Sequence, residues 1–108
     1  IFSGKIVKDI PGKDLRTLID NIKKQNKNVI AVLLSKVGTK VQIAVGISDT
    51  LVERDSAVDL VKILSTKTGG KGGGGRPDFA QGGGTLPDKA DQALLHLKSY
   101  LESSLSDD

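Results

Sequence analysis

Apolar residues recur at helical spacing early in this chain and then in runs of strand length. Four of them fall at i, i+3, i+4 and i+7 and predict an amphipathic helix over 13–26: Leu15, Leu18, Ile19 and Ile22. Residues 29–34 read VIAVLL, a continuous apolar run that is typical of a strand covered on both faces. Residues 41–47 alternate and predict a strand with one more apolar face. Because Gly38 lies in the short segment between these runs, the two strands are expected to form a hairpin.

Further elements flank this central part. Residues 4–9 read as a short strand. Residues 56–66 carry a second apolar stripe and predict a helix. Ser56 is expected to cap this helix, with Asp59 three residues later in a capping-box position. A last helix is predicted over 88–105, where leucines recur at helical spacing.

The order of these elements predicts an α/β (α+β) domain. It consists of a small mixed β-sheet of three to four strands packed with about three helices, in two or three layers, in the order β-α-β-β-α-(Gly-rich loop)-α. Residues 67–87 contain nine of the thirteen glycines, too many for a helix, so 69–84 is predicted to be a loop. Ala80–Thr85 is a weak candidate for the fourth strand.

Composition narrows the class of protein. A length of 108 residues suits a single domain, 1–108. The absence of cysteine excludes disulfides and thiolate metal sites, and a single histidine, His96, excludes a histidine-rich metal site. No apolar run is long enough to span a membrane. The chain begins with Ile1 and has no methionine, so it is expected to be a fragment of a larger chain, and the acidic tail 103–108 is expected to fray.

Positive charge is concentrated in two places along the chain. Residues 1–27 hold seven basic and three acidic side chains, and 67–76 hold three basic and no acidic ones. Residues 77–108 are acidic, with two basic and six acidic side chains. A phosphate backbone would be attracted to a surface built from the first two segments, although an unevenly charged solvated surface has the same composition.

The segment 69–84 reads GGKGGGGRPDFAQGGG, and four interpretations of it can be compared. A P-loop requires Ser or Thr after the phosphate-binding lysine, whereas Gly72 follows Lys71 here. A dinucleotide-binding fingerprint requires a strand before the glycines, whereas a helix is predicted there. A flexible linker repeats Gly and Ser and does not frame a string such as RPDFAQ. The fourth interpretation is a loop of fixed shape that lets another backbone come close.

Exposed backbone N–H groups of such a loop can form an anion-binding concavity, and basic side chains add charge around it. Arg76 can hold a phosphate through two parallel hydrogen bonds. The predicted nucleic-acid-binding residues of the loop region are Lys67, Lys71, Gly72, Gly73, Gly74, Gly75, Arg76, Gln81, Gly82 and Gly83. The basic face of the first helix is a candidate second patch: Lys13, Arg16, Lys23, Lys24 and Lys27.

Two residues of the loop have alternative roles. Arg76 either binds a phosphate or forms a salt bridge with Asp78 or Asp88 that shapes the loop. Phe79 either stacks on a base or anchors the loop to the core, which is the commoner role of a lone apolar residue in such a loop. Extensive base stacking is not expected, because the chain has only two Phe and one Tyr.

At these residues the chain resembles a known family. The string GGKGGGGRPDFAQGGG is similar to the signature of the DHH-associated domain as it occurs at the C-terminus of alanyl-tRNA synthetase. A helix carrying AVDLVKIL before the loop and a final helix near LKSYL agree with that layout, so the resemblance covers essentially the whole chain. The usual run before the Arg-Pro pair is three glycines, whereas Gly72 to Gly75 make four here.

The resemblance implies a domain without a catalytic site that binds tRNA near its outer elbow. Such a domain helps hold the tRNA for aminoacylation and editing by a cytoplasmic alanine–tRNA ligase. That parent enzyme uses ATP and Mg²⁺, with zinc in its editing domain, and no cofactor is expected in this fragment. The helical segment that often mediates dimerisation would precede residue 1. The fragment is therefore expected to be a monomer whose partner is tRNA and not a membrane.

Two alternatives remain open. Related domains follow DHH phosphodiesterases, where they bind the end of a short oligonucleotide or a dinucleotide. Those domains typically carry a histidine in the glycine motif, whereas Arg76 stands here, which favours the synthetase. His96 lies beside the leucine stripe of the last helix and is expected at the helix surface or in packing. The alternative from another class is a protein-interaction module that uses the helix over 13–26.

Overall fold

The hydrophobic pattern predicts every helix and strand of the structure except in the glycine-rich segment. The computed structural model describes residues 2–52 and 55–106, with side chains up to residue 102. The elements in chain order are β1 (Phe2–Lys8), α1 (Gly12–Gln25), β2 (Ile30–Val37), β3 (Lys40–Ile47), α2 (Ala57–Lys67), β4 (Gly72–Arg76), β5 (Phe79–Gly84) and α3 (Ala90–Ser106), the last preceded by a 3-10 turn at Pro87–Lys89. The five strands form one mixed sheet in the order β1-β2-β3-β5-β4. Only the β1–β2 pair is parallel.

Helices cover both faces of the sheet, so the domain has three layers. On one face, α2 packs over β3, β4 and β5, and α3 packs beside it over β1; the core on this face includes Val32, Ile43 and Val45. On the other face, α1 packs over β2 and β3, and Leu15 and Ile19 are fully buried there. The prediction that β2 is covered on both faces is confirmed.

The predicted β2–β3 hairpin is also confirmed. Val37 pairs with Lys40, which leaves a two-residue turn of Gly38 and Thr39. Gly38 has a φ of 60°, and a positive φ at the first position is what a type II′ turn requires. This turn chemistry sets the register in which the apolar residues of β2 and β3 share a face.

The candidate fourth strand at Ala80–Thr85 is confirmed by β5 (Phe79–Gly84), but the prediction that the rest of 69–84 is a loop is wrong, because Gly72–Arg76 forms a further strand and the sheet has five strands instead of three to four. Strand β5 pairs with β3, and β4 pairs with β5 at the edge of the sheet. Glycine has a low strand propensity, but β3 is a buried strand whose outer backbone groups need partners. The ladder to β5 supplies these partners, so tertiary context overrides the local propensity.

Helix α2 lies very close to the β4–β5 hairpin, and this approach depends on glycine. A Cβ added at Gly73 or Gly82 would lie 2.7 or 2.6 Å from a methyl carbon (Cγ1) of Val61. A Cβ added at Gly84 would lie 2.1 Å from the hydroxyl oxygen of Thr68. These distances are far shorter than van der Waals contact, so no larger residue fits at these positions unless α2 moves.

Two local predictions concern helix ends. Ser56 occupies the N-cap position of α2, but its side chain makes no capping hydrogen bond in the described part of the chain, so the predicted capping box with Asp59 is wrong. The backbone N–H of Ala57 instead bonds to the carbonyl of Pro77 in the β4–β5 turn, at 2.9 Å, which docks the start of α2 on the hairpin.

Helix α3 continues to Ser106, three residues beyond the point where fraying was predicted to begin. The last two residues of the predicted tail, Asp107 and Asp108, lie outside the described residues. None of the helices in the described ranges combines the length and the hydrophobicity that a bilayer-spanning helix needs.

Adjacent glycines of β4 should differ sharply in their tolerance of a methyl group. A Cβ at Gly73 would lie 2.3 Å from the backbone oxygen of Gln81, whereas no described atom beyond Gly74 and its two chain neighbours lies within 4 Å of a Cβ at Gly74. We expect Gly73→Ala to lower the free energy of unfolding by about 1–3 kcal/mol through overpacking. Gly74→Ala should leave it unchanged or raise it by up to about 1 kcal/mol. Urea denaturation of both variants measures the difference, and equal values would contradict the packing described.

Candidate nucleic-acid interface

The α1 side of the β4–β5 hairpin presents an ordered set of side chains. The strand registers place Phe79 and Arg76 in one cross-strand row and Gln81 and Gly74 in the next. Phe79 packs in the core beneath α1, so both rows face that side of the sheet. Helix α1 packs over β2 and β3, and the face of β4 beside it is exposed.

Three contacts fix the orientation of α1 beside the hairpin. The side-chain amide of Gln81 donates a hydrogen bond from Nε2 to the carbonyl of Gly12 at 2.7 Å. The guanidinium carbon of Arg16 lies 5.1 Å from the centre of the Phe79 ring, a cation–π distance. The ammonium group of Lys23 donates to the carbonyl of Asp78 at 3.4 Å. One flank of α1 therefore faces the hairpin along its whole length.

The basic residues of α1 lie on that flank or next to it. At 100° per residue they fall in a sector of about 100° that includes the flank: Lys13, Arg16, Lys23 and Lys24. Asp20 lies in the same sector and lowers its net charge. Because this sector borders the exposed side of the hairpin, part of each predicted patch lies on the same side of the molecule: Gly74, Arg76 and Gln81 from the loop region, and the helical residues of the α1 patch. We name the surface formed by Arg16, Lys23, Gly74, Arg76 and Gln81 the basic ledge.

The structure decides between the alternative roles of Phe79. Its side chain is only 8% exposed and packs with Leu15 and Ile19. The anchor role is therefore confirmed, and the ring is covered by Arg16 and not open to a base. Burying an aromatic ring of this size holds β5 and α1 together.

Arg76 forms the predicted salt bridge with Asp78. The distance from Nε to Oδ1 is 3.4 Å, and the side chains are 66% and 33% exposed. A pair this exposed contributes little to stability, because solvent screens the attraction and ordering two side chains costs entropy. Arg76 remains accessible at the edge of the sheet and can exchange Asp78 for a phosphate, so shaping the turn and binding an anion are compatible roles.

The glycines of the hairpin have two different surroundings. Gly73 and Gly82 lie under α2, where a side chain would clash. Gly74 lies on the opposite face, is exposed, and is not among the residues with positive φ. Neither packing nor backbone conformation requires glycine at position 74. The absence of a side chain there exposes the backbone of β4, and the fold does not depend on this exposure.

The other predicted site residues are distributed around the molecule. Lys71 lines a cavity of about 290 Å³ at the end of the hairpin, together with Lys40, Gln42 and Gly83. Lys24 and Lys27 line a wider cleft of about 710 Å³ at the C-terminal end of α1. Lys67 lies on α2, on the opposite side of the sheet, and is not part of the basic ledge.

Ser65 of α2 forms hydrogen bonds to both strands of the hairpin. The sequence did not indicate this role, because Ser65 lies within the apolar stripe of α2. Its hydroxyl donates to the carbonyl of Gly83 at 2.6 Å and accepts from the N–H of Gly72 at 2.9 Å. Its own carbonyl accepts from the N–H of Gly70 at 2.7 Å. The side chain is fully buried, so one residue of α2 holds both strands of the hairpin in register.

Metal-ligating side chains are scattered over the described residues. No group of three or more His, Cys, Asp or Glu side chains comes together among them.

The sequence and fold of the chain match those of known proteins. The family model described as the DHHA1 domain matches residues 3–103. The chain belongs to the DHHA1 domain family. The C-Ala domain from Aquifex aeolicus alanyl-tRNA synthetase superposes on this DHHA1 domain with a TM-score of 0.85 and 30% identity, over 91% of this chain and 87% of that one. This agrees with the predicted α/β fold class.

Sequence identity to curated alanine–tRNA ligases is higher than to this solved structure. The DHHA1 domain is 43% identical over 100 residues to the alanine–tRNA ligase of Paramagnetospirillum magneticum, and 45% identical over 100 residues to that of Ruegeria pomeroyi. In both cases the match covers 93% of this chain and 11% of the ligase. The resemblance found in the sequence is therefore confirmed, and the chain corresponds to about one ninth of such a ligase.

The hydrogen bonds of Ser65 should contribute measurably to stability. In Ser65→Ala the N–H of Gly72 and the carbonyl of Gly83 lose a partner in a partly buried site, so we expect the free energy of unfolding to fall by about 1–3 kcal/mol. Thr66→Ala is the matched control, because its side chain is exposed and its loss should change stability by less than about 0.5 kcal/mol. Chemical denaturation compares the two, and similar values would show that Ser65 does not hold the hairpin.

Proposed function

We propose that this DHHA1 domain binds folded tRNA through the basic ledge. In this proposal it is the C-terminal tRNA-binding domain of an alanine–tRNA ligase and helps hold tRNA(Ala) for aminoacylation and editing. The observation that carries the proposal is the position of Arg16, Lys23 and Arg76. Two segments far apart in the sequence bring these cations to one side of the sheet, next to bare backbone at Gly74.

The chemistry of the ledge suits a folded RNA. Phosphates dominate the affinity of nucleic-acid complexes, and guanidinium groups bind them in a bidentate manner. Folded RNA is recognised largely through its shape, its phosphates and its 2′-hydroxyl groups, and these need close approach more than they need aromatic rings. Because Phe79 is buried, recognition by base stacking on that ring has no support.

The bare backbone at Gly74 suits the same ligand. Gly74 is exposed on the side of the sheet that carries Arg76, and its neighbour across the ladder is Gln81. Because Gly74 itself has no side chain, a ribose or phosphate could approach the main chain of β4 at this position. This would explain a glycine that neither packing nor φ requires.

The remaining features of the proposal concern the parent enzyme. We place it in the cytoplasm and expect it to use ATP and Mg²⁺, with zinc in its editing domain, through residues outside this chain. We propose that the isolated domain is a monomer. The proposal assigns no chemical step to the described residues.

Removing charge from the ledge should weaken tRNA binding. In Arg16→Gln/Arg76→Gln two phosphate contacts are lost, so the slope of log affinity against log salt concentration should become less steep by about 2. The matched control is Lys5→Gln/Lys98→Gln, which removes the same charge at exposed positions on β1 and α3. Fluorescence anisotropy with folded tRNA across a salt series measures both variants, and melting curves confirm that both are folded.

Equal affinity and equal slope for the two double variants would contradict the ledge as the binding site. Two further probes separate the proposal from its alternatives. Tighter binding of a dinucleotide or a short oligonucleotide than of folded tRNA would favour the phosphodiesterase relatives. The absence of tRNA binding at low salt by the wild-type domain would favour a protein-interaction module.

A larger side chain at Gly74 should block binding without weakening the fold. We expect Gly74→Val to retain wild-type stability, since a β-branched residue suits a strand and the space is open. Its affinity for folded tRNA should fall, because the branched side chain keeps the RNA away from the backbone. Wild-type affinity in a folded Gly74→Val variant would show that the RNA does not approach β4 at this position.

A further inference from the structure

Lys67 lies in a second basic site on the other side of the sheet. It lines a cleft of about 300 Å³ where α2 meets α3, together with Lys62, Ile63, Thr66 and His96. Lys62 and Lys67 come from α2, and His96 comes from α3. Packing of the two helices therefore brings His96 next to two lysines that are about 30 residues earlier in the sequence.

The lining of this cleft suits an anion. None of its five lining residues is acidic, and neither lysine has an acidic partner among the described residues. Lys62, Lys67 and His96 are exposed, so their donor groups can reach a ligand. Ile63 and the aliphatic parts of the lysines provide an apolar floor beneath the charges. The prediction that His96 lies at the helix surface is confirmed. Its position next to Lys62 and Lys67 makes it a candidate anion-binding residue.

A residue of this cleft and a residue of the cavity at the end of the hairpin are close in sequence. Lys67 ends α2, and Lys71 follows four residues later, immediately before β4. Four residues of chain span at most about 14 Å, which is within the reach of a few nucleotides. A single strand that contacts Lys71 at the end of the hairpin could therefore continue to Lys67.

The geometry points to a phosphate-binding site between α2 and α3, formed by Lys62, Lys67 and His96, that takes a backbone phosphodiester of RNA. It is separate from the basic ledge and lies on the opposite face of the sheet. The identity of the ligand rests on the proposed tRNA-binding function. A polynucleotide bound in this way contacts the domain on the ledge and also passes around the C-terminal end of α2.

His96 provides a direct reporter of this site, because it is the only histidine of the chain. We expect folded tRNA to shift the imidazole NMR signals of the wild-type domain at low salt, and a short oligouridylate without terminal phosphate to shift them in the same direction. Lys62→Gln/Lys67→Gln should abolish the shift with the oligouridylate. It should also weaken tRNA binding by roughly five-fold, as expected for two exposed charge pairs.

Two controls make the result specific. Lys89→Gln/Lys98→Gln removes the same charge from positions outside the cleft and should leave the His96 response intact. Polyglutamate, a polyanion without phosphate, should leave the imidazole signals in place. A polyglutamate shift as large as that of the oligouridylate would overturn the assignment of a phosphodiester ligand.

Failure of this inference is distinguishable from failure of the proposed function. If the domain binds tRNA but the His96 signals do not move, or if the Lys62/Lys67 variant matches its control, the second site is wrong and the ledge stands. If the domain does not bind tRNA at all, the proposed function is wrong. A His96 shift with the oligouridylate that the lysine variant removes would still support the phosphodiester site.

Discussion

The close packing of α2 on the β4–β5 hairpin is the constraint on which the rest of the structure depends. Val61 and Thr68 lie where side chains of the hairpin would otherwise be, and Ser65 bonds to backbone groups of both of its strands. The hairpin in turn completes the ladder of β3 and carries Phe79 under α1. The glycine-rich face of the hairpin thus fixes α2, and the side chains of Phe79 and Gln81 on its other face fix α1.

This arrangement separates two uses of glycine that look identical in the sequence. Gly73 and Gly82 are required by the helix above them, whereas Gly74 faces the other way into open space. Alternation of side chains along a strand places Arg76 on the same face as Gly74. The hairpin is thus held from one side by α2 and offers its other side, next to the basic flank of α1, to a ligand.

Periodicity and turn chemistry were sufficient to predict most of the fold. The helices, the two-sided burial of β2 and the turn at Gly38 all follow from local signals. Of the glycine-rich hairpin, only the strand within Ala80–Thr85 was indicated; β4 could not be predicted in this way, because the hairpin is stabilised by the edge of β3 and by Ser65, which are distant in the sequence. The sequence indicated which basic residues form the site, but not which of them lie together, because that depends on tertiary packing. Lys67 was therefore predicted to share a site with Arg76, although the two lie on opposite faces of the sheet. The role of Ser65 was missed, because a serine in an apolar helical stripe carries no sign of what it bonds to.

The most direct test of the basic ledge is amide chemical-shift mapping of the domain with folded tRNA. In the proposed complex the RNA contacts the exposed face of β4, so we expect the largest changes at Gly74 and Arg76 and along the hairpin-facing flank of α1. The amides of β1 at the other edge of the sheet should change little. Large changes centred on β1, with Gly74 and Arg76 unaffected, would contradict the basic ledge as the RNA-binding surface.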